Sequence, residues 1–78
     1  MTRTAPATVP VDSTLLANVT YDIGASLLKL GFCDGAIYLY FAVPESIHQS
    51  LLAADSKGVF FNRQIRSRFR YTCLRRPQ

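Results

Sequence analysis

The chain has 78 residues, enough for one domain, and sits near the size at which folding removes only about 60% of the unfolded surface from water. Hydrophobic residues make up 49% and charged residues 18%, which excludes a disordered chain and allows a packed core with a thin stability margin. The net charge of +4 is unevenly placed: five acids and two bases give −3 through Asp55, and from Ser56 onward seven bases and no acid give +7.

In chain order, residues 1–10 carry a lone Arg3, two prolines and no apolar run, and read as neither a signal peptide nor a membrane span. A loose tail of a cytoplasmic protein is expected there. Leu15 to Tyr21 mixes Leu15, Leu16, Val19 and Tyr21 with Ala17, Asn18 and Thr20, and ends at Asp22-Ile23-Gly24, where Asp and Gly supply turn chemistry. This is a first strand with imperfect alternation. Leu28, Leu30 and Phe32 then alternate with Lys29, Gly31 and Cys33, the period of two of a strand with one buried face. Asp34-Gly35 turns the chain into a third strand, Ile37 to Phe41, rich in β-branched and aromatic residues.

The register of that hairpin decides where two tyrosines face. A two-residue Asp34-Gly35 turn puts Ile37, Leu39 and Phe41 beside Leu28, Leu30 and Phe32, with Tyr38 and Tyr40 outward. A three-residue loop through Ala36 shifts the parity, so that Tyr38 and Tyr40 join the apolar face.

Pro44 suits a first helical position, because its missing N–H has no helical partner there. Glu45 places a negative charge in the first turn, and Ile47, Leu51 and Ala54 fall on one stripe, predicting a helix over 44–54. Asp55 or Ser56 caps a second, shorter helix with Phe61 and Ile65 on its inner side and Phe60 beside them. From Arg68, the residues Phe69, Tyr71 and Cys73 alternate with Arg68, Arg70 and Thr72, a final strand expected beside the first. Residues 75–78 are expected to fray. The fold class is therefore α+β: a three-stranded antiparallel meander, two short helices on one face of the sheet, and a final strand, in one domain over 11–74.

Tyr38-Leu39-Tyr40, Val43-Pro44-Glu45-Ser46 and Ser56-Lys57-Gly58 with Phe61 and Ile65 resemble, in order and spacing, the KTSC domain. This small domain is found alone in bacteria and at the end of some lysyl-tRNA synthetases. The likeness spans about Val11 to Tyr71. It implies a small α+β fold, brings no catalytic residues, and carries a suggested role in binding RNA. Family members usually have a polar or basic residue where this chain has Leu39, which favours the register with Tyr38 and Tyr40 facing the helices. They often have glycine where this chain has Ser67.

Little else in the sequence points to chemistry. His48 is the only histidine, and Cys33 and Cys73 are far apart with no metal-ligand spacing, so no metal or cofactor is expected and the chain reads as no enzyme. His48 is expected at a helix edge. Without a secretion signal, buried free thiols are expected rather than a disulfide. Ser56-Lys57-Gly58 lacks the upstream glycine of a phosphate loop, but places Lys57 near an amide-rich helix start where one backbone phosphate fits.

Two functions follow from the basic C-terminal block. In the first, Lys57, Arg63, Arg66, Arg68 and Arg70 contact the phosphates of RNA or another nucleic acid, with Tyr38 or Tyr40 stacking on a base. In the second, the chain is an interaction or oligomerisation domain whose basic face meets an acidic protein. The same charge equally suits a solvated face that keeps a small domain soluble.

Overall fold

The computed structural model describes residues 8–11 and 13–78. Its elements are β1 (Thr8–Pro10), β2 (Leu16–Asp22), β3 (Leu27–Phe32), β4 (Ile37–Tyr40), α1 (Glu45–Ala53), α2 (Lys57–Gln64) and β5 (Tyr71–Arg75). The strands form one antiparallel sheet in the order β1-β2-β3-β4-β5. The α+β architecture matches the expectation, with two differences. Thr8–Pro10, placed by the sequence reading in a tail, is a short edge strand on β2, where Pro10 is tolerated because an edge strand need not donate on both sides. The other tail residues lie outside the described residues. The final strand docks beside β4 rather than beside the first predicted strand, because β1 already occupies that edge.

The imperfect alternation of β2 has a structural cause. Leu16 pairs with Phe32 and Asn18 with Gly31, so Ala17 is an extra residue in a β-bulge. The bulge turns both Leu16 and Val19 into the core, which strict alternation would place on opposite faces.

The β3–β4 hairpin resolves the two registers. Leu28 pairs with Tyr40 and Leu30 with Tyr38, so both tyrosines lie on the helix side and Leu39 on the outer side with Lys29. The loop is Cys33-Asp34-Gly35, one residue earlier than expected, because Ala36 still pairs: Phe32 N donates to Ala36 O at 2.8 Å, and Gly35 N to Phe32 O at 3.0 Å. Gly35 has φ +94°, the left-handed residue with which a three-residue hairpin loop closes, and Asp34 Oδ1 accepts from Ala36 N.

Between β4 and α1 the chain passes through Ala42 at φ +56°, a conformation that disfavours side chains. Val43 anchors this connector through both backbone groups: its N–H donates to Ser26 O, and its carbonyl accepts the Tyr21 hydroxyl at 2.6 Å. Pro44 is the N-cap rather than the first helical residue, and its carbonyl accepts from Ile47 N. Ser56 caps α2, as expected, by accepting from Val59 N. Both helices cover one face of the sheet. Leu16, Val19, Leu28, Leu30, Tyr40, Val43, Leu51, Phe61 and Ile65 form the core between the layers. The C-terminal segment, expected to fray, has Arg75 inside β5, and Gln78 N donates to Asp34 O beside the hairpin turn.

Candidate functional site

The two helices do not cover the whole inner face. Beyond α2, β4 and β5 leave an open groove of about 700 Å³, with Phe32, Tyr38, Tyr40, Phe61 and Tyr71 among its walls. Sheet pairing builds it: Tyr40 sits across from Tyr71 and Tyr38 across from Cys73, so alternate residues of both strands point to the same side. Tyr71 lies 5.6 Å from both Tyr38 and Tyr40, centroid to centroid, and Tyr38 and Tyr40 are 6.5 Å apart. Phe61 meets Tyr40 and Phe32 edge-on. The rings differ in role by burial: Tyr40 is 3% exposed and forms the floor, whereas Tyr71 is 56% exposed and presents a free face.

The groove has unlike ends. Toward the hairpin it is lined by Asp34 and Ala36; toward the end of α2 it is lined by Asn62, Arg66 and Ser67. Arg66 is held there by the helix exit: Phe61 O accepts both Ile65 N and Arg66 N, and the Arg66 guanidinium donates to Asn62 Oδ1 at 3.5 Å. Burial, then Tyr38 and Tyr71, push the Tyr40 hydroxyl up to about 12, against the pull of Arg66. The Cys73 thiol, followed by burial, raises the Tyr38 hydroxyl. Both phenols therefore remain protonated donors at neutral pH.

Residues 12–69 match the model of the KTSC domain. The chain belongs to the KTSC family. A protein from Tsukamurella paurometabola is 42% identical to this KTSC chain over 65 residues, covering 83% of this chain and 97% of that one. A lysine–tRNA ligase of Nostoc punctiforme is 32% identical over 63 residues, 81% of this chain but only 11% of the ligase. The crystal structure of a KTSC domain protein from Yersinia pestis superposes with a TM-score of 0.87 at 33% identity, over 90% of this chain and 99% of that one.

The KTSC fold divides the basic residues chosen from the sequence. Arg66 shares the groove with Tyr38 and Tyr40, and Arg68 and Arg70 line an adjoining hollow with Phe69; Ser67 and Tyr71 border both. Arg63 stands apart, in a hollow with Val59 and Phe60 at the helix junction. Lys57 Nζ donates to Ala54 O at 3.1 Å, so its ammonium closes the α1–α2 corner instead of standing free at the helix start. Among the groove residues not singled out as site residues by sequence are Tyr71, read only as an inward residue of a strand, Asp34, read only as turn chemistry, and Asn62. Parity does announce the side on which Tyr71 lies, but not that the helices stop short of it.

Both cysteines are free and exposed, which corrects the expectation of buried thiols: Cys33 lies in the hairpin loop, and Cys73 lies on the edge strand beyond the helices. Among the described residues, no three His, Cys, Asp or Glu side chains gather as a metal site requires, and no helix is long and apolar enough to cross a membrane.

His48 is at the helix boundary expected of it, stacked on Tyr21 at 4.6 Å with its Nδ1 buried and without a partner among the described residues. Burial lowers its pKa below the ordinary 6.5, partly offset by Glu45. The unfolded chain therefore takes up a proton that the folded chain resists. Stability should be unaffected above the unfolded pKa, decline as pH falls from about 6.5 through the lowered folded value, and level off below it. Urea midpoints across this window should show that decline in the parent and a flatter one in His48→Gln. Identical slopes in the two proteins would reject the assignment.

Proposed function

We propose that this KTSC chain is a non-catalytic module that binds single-stranded RNA, with the aromatic groove receiving a base and Arg66, Arg68 and Arg70 meeting the backbone. The observation that carries this reading is Tyr71: a large ring more than half exposed, set among other aromatics, with Arg66 lining the groove on which it opens and Arg68 and Arg70 lining the adjoining hollow that it also borders. Exposed aromatic faces beside cationic groups suit unpaired bases, which stack on a ring while phosphates pair with arginine. The +7 block after Asp55 agrees in sign, and a relative that carries this domain is by name a ligase acting on tRNA.

Salt tests the reading. If three arginines each neutralise one phosphate of a single strand, log affinity should fall with log salt at a slope of about −2, so raising salt from 50 to 200 mM weakens binding about 20-fold. Fluorescence anisotropy with a labelled oligouridine measures this. Arg66→Gln, Arg68→Gln and Arg70→Gln together should flatten the slope without unfolding the domain, since all three side chains are exposed. No retention of RNA at low salt would remove the reading, and salt-insensitive capture of an acidic protein would replace it.

A further inference from the structure

The groove is polar end to end in a way that plain phosphate binding does not use. Tyr38 and Tyr40 follow one another along β4, so the groove runs from the hairpin, with Asp34, to the exit of α2, with Arg66. An occupant that satisfies both ends carries an anionic group at one end, a flat ring in the middle and hydrogen-bond donors at the other. A nucleotide has this layout. The donor end discriminates among bases, because a carboxylate only accepts. Asp34 Oδ1 already takes Ala36 N at 3.0 Å, and Oδ2 has no partner among the described residues. Two adjacent donors therefore match this carboxylate best.

On its Watson–Crick edge, guanine sets N1–H beside the N2 amino group. Adenine and cytosine each set a ring-nitrogen lone pair beside their amino group, and uracil flanks its one N–H with two carbonyls. Against a carboxylate, each of these three places at least one acceptor facing an acceptor. Resting on the RNA reading above, we infer that the groove selects an unpaired guanosine, with Asp34 accepting from its N1–H and N2–H₂, the ring against Tyr38 and Tyr71, and its phosphate toward Arg66. The roughly 700 Å³ of the groove falls in the range of clefts that hold small ligands.

The test compares a labelled oligouridine with the same strand carrying one central guanosine, adenosine or cytidine, at fixed low salt. The guanosine strand should bind about tenfold tighter than the other three, the lower part of the range for a bidentate base contact. Asp34→Asn keeps an acceptor for Ala36 N but turns a donor toward the base. It should erase the guanosine preference, read as the ratio of guanosine-strand to oligouridine affinity measured within the same variant. As a check that needs no variant, guanosine monophosphate should displace the labelled oligouridine from the parent protein at lower concentration than the other three monophosphates. Equal binding of all four strands, equal displacement by all four nucleotides, or a preference that survives in a folded Asp34→Asn overturns the guanosine assignment and leaves the RNA reading standing. Failure of every strand to bind overturns both.

Discussion

Replacing Leu51 with Ala is expected to destabilise the domain by about 2 to 5 kcal/mol, because the side chain is fully buried and the surroundings can close only part of the resulting cavity. Leu51 is the one fully buried residue of α1, so it is the principal anchor between that helix and the sheet. Marginal domains hold roughly 5 to 15 kcal/mol in all, so this single truncation would remove a large share. A urea titration at neutral pH should show the midpoint fall with little change in slope. An unchanged midpoint would mean that α1 does not carry the core contact described for it.

The second large effect is a contrast between two tyrosines in one groove. Tyr40→Ala removes a nearly buried ring that packs edge-on against Phe61, and should cost about 3 to 5 kcal/mol of stability, as large aromatic truncations in cores do. Tyr71→Ala removes an exposed ring on an edge strand, and should leave the melting temperature within a few degrees of the parent. Its cost should appear in RNA affinity instead, about 1 to 3 kcal/mol for a lost base stack. Paired melting and anisotropy measurements separate the two. A folded Tyr71→Ala protein with undiminished RNA affinity would show that the exposed face is not a stacking surface.

Local chemistry made much of this structure legible in advance. Pro44 with Glu45 marks the start of α1, Ser56 the cap of α2, and Leu28, Leu30 and Phe32 the inner face of β3, because each signal acts within a few residues. The hairpin was ambiguous for the same reason: Asp34-Gly35 announces a turn, but only the pairing of Ala36 with Phe32 tells a three-residue loop from a two-residue one. Neighbour relations between distant segments leave no local trace. The alternation of Tyr71 and Cys73 announces a face, not that β4 is the partner, and Thr8-Val9-Pro10 is too short for its period to register. The groove follows from that missing layer, since it exists only because β5 extends the sheet past the reach of α2. Asp34 was hidden differently: its turn role is sufficient to explain it, and nothing in sequence shows that its carboxylate also lines a cleft.

The way Arg66 is held has a consequence for how the two ends of the groove vary. Asp34, Tyr38, Tyr40 and Tyr71 belong to the sheet and its hairpin, whereas Arg66 comes directly off the end of α2, tied to Phe61 O. Each residue added to or removed from a helix rotates everything after it by about 100° and slides it about 1.5 Å. A change of one residue in the length of α2 would therefore swing the guanidinium out of the cleft while the aromatic floor and the carboxylate stayed in place. Helix length acts as a phase setting on the Arg66 end, where the phosphate is proposed to sit. On the proposed RNA reading, salt slope and base preference would then come apart in a length variant, the first falling and the second persisting.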